Sequence, residues 1–289
     1  MKRMTSRVRV AGQTIPVDEW RPQAGPTVVF LHGYGRRPEH YRMLEHLAAD
    51  QGFRVLAPFL YPNNALAQPP RSFRACVALT RALLQELASQ DRLQGSYTVV
   101  GHSTGGSVAQ CLANLHPTPG AILALNPVMP VAYGPWGFVT RAARIAANQL
   151  LGRSGPALRG WRLHLRHGGG QLANLLRRAD VSWALAKDLS GLQLQEIRLL
   201  YDACGSRGVR FDLPSAVFQA RGDEFFRVPS DLRAWMGLVF DRFELRELRD
   251  LRGHEWPLMH PELAAQKVAA WIVGRARLPG AEELTRLTA

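Results

Sequence analysis

The stretch Gly101-His102-Ser103-Thr104-Gly105 sets one serine among small residues in the spacing G-x-S-x-G. That pattern serves where a strand must end, turn under strain and enter a helix with a hydroxyl left at the apex. A serine hydroxyl attacks an acyl carbon only when a base removes its proton and a carboxylate orients that base, so a histidine and an acid are needed elsewhere. Of the nine histidines, His254 stands in Leu251-Arg-Gly-His-Glu-Trp-Pro-Leu-Met-His-Pro-Glu262, between the last expected strand and the last expected helix. Loops of this kind, at the C-terminal ends of strands, are where an open α/β sheet gathers its working groups. His260 competes for the role but abuts Pro261 at the start of the helix, so His254 is preferred. Asp223, in Gln219-Ala-Arg-Gly-Asp-Glu-Phe-Phe226, also follows a strand directly, with Glu224 and Asp231 as nearby alternatives. Asn126 occupies another strand end but carries no charge.

A second turn, Phe30-Leu-His-Gly-Tyr-Gly35, follows the first buried strand. Its glycines let backbone N–H groups point at a developing oxyanion, each such donor being worth about 10²–10³ in rate. His32 within it reads as a packing and hydrogen-bonding residue rather than a base.

These groups need a scaffold that brings strand ends together. Val8, Val10, Ile15 and Val17 alternate with polar residues around Ala11-Gly12-Gln13 and predict an antiparallel hairpin. Residues 27–31, 53–57, 97–100, 121–125, 216–219 and 243–251 have strand character, and the earlier ones are continuous and apolar, as in strands covered on both faces. Helical spacing falls between them: around Leu44 to Ala48, from Ser72 to Asp91, through Val108, Cys111, Leu112 and Leu115, from Pro229 to about Phe240, and from Pro261 onward. Such alternation implies a mostly parallel sheet with helices on both faces. From Trp136 to Asp212 the pattern is helical, broken by Gly168-Gly169-Gly170 and Gly205, with no convincing strand. The division expected is therefore a core of residues 1–135 and 213–289, with 136–212 inserted as a helical cap.

With 289 residues, 46% of them hydrophobic, the chain can bury a substantial core. Cys76, Cys111 and Cys204 are odd in number and lack metal-ligand spacing, so neither a disulfide framework nor a metal is expected, and no cofactor motif appears. The charge-free run from Gly120 to Thr140 is long enough for a membrane span. Its Asn126, Pro127, Pro130 and Pro135 instead fit a buried strand followed by a loop. Lys2, Arg3, Thr5, Ser6, Arg7 and Arg9 leave no room for the apolar segment of a signal peptide, and a cytoplasmic location is expected. The formal net charge is +13, and between Arg92 and Ala179 nine arginines meet no Asp or Glu. Arginine-rich coding accounts for part of this. A basic surface there would attract an acyl group on an anionic carrier, a coenzyme A ester or a phospholipid surface, which makes peripheral membrane contact a candidate property. No nucleic-acid reading motif accompanies the arginines, so nucleic acid is not an expected partner. The sequence leaves the oligomeric state open.

The segments His32-Gly-Tyr-Gly35, Gly101-His-Ser-Thr-Gly105, Gly222-Asp223 and Gly253-His254, with Pro261-Glu262 beyond, resemble the α/β-hydrolase superfamily. The order Ser103, Asp223, His254 is the order of that fold. The stretch from Arg36 to Phe53, with His40-Tyr41 and Gly52-Phe53, is similar to the lipase and monoacylglycerol-lipase branch. The resemblance implies Ser103 as nucleophile, His254 as general base and then acid, Asp223 as its orienter, and an oxyanion hole from the N–H groups of Tyr34 and Thr104. The expected activity is a serine hydrolase acting on a carboxylic ester or thioester. Its acyl part is apolar, because Met129, Trp136 and Phe138 belong to segments that would line the floor beneath the cap. An acyltransferase, a lyase or a non-catalytic ligand- or membrane-binding protein on the same scaffold is the alternative.

Overall fold

Uninterrupted apolar stretches become strands buried on both faces in the computed structural model, which describes residues 3–20, 25–60, 66–93, 95–127, 140, 179–191, 211–223, 236 and 239–276. Its strands are β1 (Met4–Val10), β2 (Gln13–Trp20), β3 (Thr27–Leu31), β4 (Arg54–Pro58), β5 (Tyr97–His102), β6 (Ala121–Leu125), β7 (Ser215–Arg221) and β8 (Phe243–Arg252). The helices are α1 (Met43–Ala49), α2 (Phe73–Ser89), α3 (Thr104–Gln110), α4 (Ala179–Gly191), α5 (Trp256–Met259) and α6 (Pro261–Ala276). The eight strands form one sheet in the order β1-β2-β4-β3-β5-β6-β7-β8. β2 pairs antiparallel with β1 and β4, and every other pairing in the sheet is parallel. The chain thus has the α/β-hydrolase architecture expected of it.

Successive side chains of a strand point to opposite faces, and the core divides accordingly. Val29, Leu31 and Val99 pack with α2 and α3 on one side. Val28, Phe30 and Val100 pack with α1 and α6 on the other. The outer strand β8, with the sequence FELRELRDLR, keeps charged residues on its exposed positions, which discourages pairing with another chain. Ser72 caps α2 by accepting a hydrogen bond from the Ala75 N–H at 3.1 Å.

Register aligns the strand ends. Leu31 lies opposite Gly101, and His102 opposite Leu125, so the residues after β3, β5 and β6 leave the sheet side by side. Between β7 and β8 the register shifts at Ala220/Arg221, and Arg221 pairs with Arg252. Gly222-Asp223 and Gly253-His254 therefore leave together on the same edge.

One helix differs from its sequence pattern. The periodicity of Val108 to Leu115 continues past Gln110, but there the main chain tightens to bonds spanning three residues, Cys111 N–H to Val108 O and Leu112 N–H to Ala109 O. Of the segment 136–212, the description covers residue 140, α4 and the end at 211–212. Met129, Trp136 and Phe138 lie outside the described residues, as do Glu224 and Asp231. The run at 120–140 opens with the buried strand β6, and among the described residues no helix is long and apolar enough to cross a membrane.

Candidate active site

Ser103 sits between β5 and α3 with φ 55 and ψ −123, a conformation that an L-residue adopts only when its surroundings impose it. The flanking glycines explain how the turn closes. A β-carbon on Gly101 would lie 2.2 Å from the Gly105 carbonyl oxygen, and one on Gly105 would lie 2.1 Å from that of Leu31. Backbone occupies both spaces, so G-x-S-x-G is required here by close approach. The Ser103 N–H donates to Leu125 O at 3.0 Å.

The structure brings His254 and Asp223 to this serine. Nε2 of His254 lies 2.8 Å from Ser103 Oγ, and its Nδ1 lies 3.1 Å from Asp223 Oδ2. A carboxylate only accepts, so Nδ1 carries the proton and Nε2 is left to receive the serine's. Relative exposures of 8% for Ser103, 4% for His254 and 7% for Asp223 place the chain of bonds largely out of water, where its electrostatics are stronger. Gln219 donates from Nε2 to the same Asp223 oxygen at 2.9 Å and fixes the carboxylate. His260 lies further on, at the end of α5, and its N–H donates to Trp256 O. Among the described residues no group of three His, Cys, Asp or Glu converges to hold a metal ion.

The turn after β3 lies against Ser103. A β-carbon on Gly33 would be 3.2 Å from the Ser103 β-carbon, and the turn closes with Arg36 N–H donating to Gly33 O at 3.1 Å. Tyr34 follows Gly33 directly, as Thr104 follows Ser103. The Tyr34 hydroxyl donates to Ser182 O and holds α4 over this end of the sheet. His32 is buried, with Nδ1–H donating to Gly33 O at 2.9 Å and Nε2 accepting from Leu60 N–H at 2.8 Å. Burial holds its pKa at about 4, below the usual 6.5, so it stays a neutral brace.

Several residues with a part in the site escape a reading based on charge and motif. Asn126, uncharged and so passed over as an acid, donates from Nδ2 to Gly253 O at 3.1 Å and His254 O at 3.0 Å. Its Oδ1 accepts from Ala220 N–H at 2.8 Å, which joins the ends of β6 and β7 to the histidine loop. The signal was present: a buried amide at a strand end has both a donor and an acceptor to satisfy. Gln219 is likewise a lone polar side chain inside an apolar strand. Glu255, next to the histidine, pairs with Arg36 at 3.1 Å. Burial would raise its pKa, but the charge of Arg36 holds it at about 2.

A family model described as Alpha/beta hydrolase family matches residues 28–267. No curated protein is similar enough in sequence to match. Similar solved structures include a candidate lipase from Acinetobacter baumannii, 14% identical over 94% of this chain and 91% of that one, with a TM-score of 0.70. Another is a loop variant of a haloalkane dehalogenase from Bradyrhizobium elkanii, 17% identical over 99% and 100%, with a TM-score of 0.65. A third is the thioesterase domain from the curacin biosynthetic pathway, 18% identical over 94% and 100%, with a TM-score of 0.62. At these identities the likeness establishes a shared fold over nearly the whole chain, and the reactions named in it are diverse.

Proposed function

The chain belongs to the alpha/beta hydrolase family, and from that premise we propose that it is a serine hydrolase cleaving carboxylic esters or thioesters through an acyl-enzyme. One observation carries the reading: a strained serine whose Oγ lies 2.8 Å from His254 Nε2, with Asp223 on the far side of the ring. Ser103 Oγ attacks the acyl carbon as His254 takes its proton, and Asp223 stabilises the imidazolium. The N–H groups of Tyr34 and Thr104 receive the oxyanion. Collapse expels the alcohol or thiol, which takes the proton back from His254. Water then attacks the acyl-serine with the same base.

The identity of the nucleophile discriminates among the chemistries found on this fold. A serine that displaced a halide or opened an epoxide would form an ether at a saturated carbon, which water and a histidine do not cleave, and turnover would stop after one event. Attack on an acyl carbon leaves an ester, which the same machinery hydrolyses.

The proposed substrate carries an apolar acyl group, a reading supported by the apolar sequence around Met129, Trp136 and Phe138 and by the helical pattern of 136–212 between core segments 1–135 and 213–289. The arginine-rich run from Arg92 to Ala179 favours an acyl group on an anionic carrier. A fluorophosphonate probe is expected to label the wild type and not Ser103→Ala, and equal labelling of both would rule the reading out. Turnover of a coenzyme A thioester should fall steeply with added salt while a neutral p-nitrophenyl ester is indifferent. A flat response for both removes the anionic carrier.

A further inference from the structure

His102, the second residue of the G-x-S-x-G stretch, does not touch the reacting atoms in the mechanism above, yet it is buried beside them. Its Nε2 lies 3.0 Å from His254 O, and its Nδ1 lies 2.8 Å from the Tyr41 hydroxyl. The Tyr41 hydroxyl in turn accepts from the Gly33 N–H at 3.0 Å. Donor and acceptor chemistry fixes the direction of every link. A carbonyl only accepts, so Nε2 of His102 carries its proton. Burial holds that ring's pKa at about 4 and keeps it neutral, which leaves Nδ1 as an acceptor. Burial also pushes the Tyr41 pKa up, so its hydroxyl stays protonated and donates to Nδ1. One continuous chain runs from Gly33 N–H to Tyr41 O–H, to His102 Nδ1, and from Nε2–H to the carbonyl of the base.

The two ends of this chain belong to two halves of the proposed machinery. Gly33 precedes Tyr34 in the oxyanion turn, and His254 is the base. Packing supports the link independently. A β-carbon on Gly33 would meet the Ser103 β-carbon at 3.2 Å, the Tyr41 hydroxyl at 3.2 Å and His102 Nδ1 at 3.3 Å. The turn, the nucleophile and the relay therefore converge on one point. Arg36 and Glu255 make a second tie between the same two loops, at 3.1 Å.

We infer that Tyr41 and His102 are positioning residues, a neutral relay that sets the oxyanion turn against the loop carrying His254. The inference rests on the serine-hydrolase reading. Its energetic consequence falls on the transition state, because a small displacement between base and oxyanion donors weakens what forms only there and leaves ground-state binding alone. Tyr41→Phe keeps the ring, which packs on Phe30 with centroids 4.7 Å apart, and removes only the hydroxyl.

With a p-nitrophenyl ester, kcat of Tyr41→Phe is expected to fall about tenfold, the scale of one buried hydrogen bond, with KM unchanged. Inhibition by phenylboronic acid, which presents a tetrahedral oxyanion to the site, should weaken in parallel. His102→Gln, whose amide still reaches for the His254 carbonyl, should retain a higher kcat than His102→Leu. Thermal melting of each variant verifies folding. A kcat for Tyr41→Phe within about twofold of wild type, or a loss expressed in KM alone, overturns the relay. Should Tyr41→Phe fail to fold, the histidine pair decides: a higher kcat for glutamine supports the relay, and equal values overturn it. A wild type that a fluorophosphonate leaves unlabelled at Ser103 removes the hydrolase reading and this inference with it. Normal labelling with unchanged kcat in Tyr41→Phe removes the relay alone.

Discussion

Mild acid should destabilise this protein through two histidines that do no proton transfer. His32 and His102 are both buried, and burial lowers each pKa from 6.5 to about 4. The unfolded chain binds a proton at each ring below pH 6.5, whereas the folded chain resists until about pH 4. The stability these rings contribute is therefore complete above pH 6.5 and is lost as pH falls through that window. Across the whole window the loss is about 3 kcal/mol per ring; by about pH 5 it is about 2 per ring and about 4 for the pair. That is a large share of the stability of an ordinary domain. Glu255, held at about 2 from an ordinary 4.5, adds a further loss below the carboxylate range. Urea unfolding followed from about pH 8 to about pH 5 should show the midpoint falling by more than about 1 M. His32→Gln should roughly halve that dependence. A midpoint that does not move between neutrality and about pH 5, or a His32→Gln variant with the wild-type slope, would refute the reasoning.

Two substitutions test the geometry around Ser103. Gly105→Ala would drive a β-carbon to 2.1 Å from the Leu31 carbonyl oxygen; the expected loss is about 3 kcal/mol in a thermal or urea melt, together with loss of Ser103 labelling, and an unaltered melt contradicts the close approach. Asn126→Asp replaces the NH₂ that faces the Gly253 and His254 carbonyls with an oxygen; a loss of about 2 kcal/mol and a lower kcat are expected, and a variant as stable as wild type would show that the amide does not grip that loop.

The parts of the fold that could be read from the sequence are those governed by local sterics and pattern. Continuous apolar runs such as Thr27–Leu31 and Ala121–Leu125 suit strands covered on both faces, and both are buried along their whole length. Half of the serine turn was legible for the same kind of reason, since Gly101 answers a contact with Gly105 four residues on, whereas Gly105 answers the distant Leu31 carbonyl. The supports of the site were not legible, because each depends on a partner distant in the chain. Tyr41 and His102 are 61 residues apart, Asn126 and His254 are 128 apart, and His102 and His254 are 152 apart. Nothing in the local pattern of a tyrosine after a short turn announces such a partner. The missing charge of Asn126 hides its part, since an amide that offers both a donor and an acceptor suits that place better than a carboxylate. The shortened α3 escaped for the opposite reason: apolar periodicity persists through Leu115, and the main chain tightens without disturbing it.

The loop bearing His254 is gripped by its own carbonyl oxygens, through Asn126 and His102, while the imidazole meets Ser103 and Asp223. Placement and reactivity are thereby assigned to different atoms of one residue. The main chain supplies an address that is indifferent to the side chain delivered there, so the chemistry at that address can be exchanged while its location in space persists.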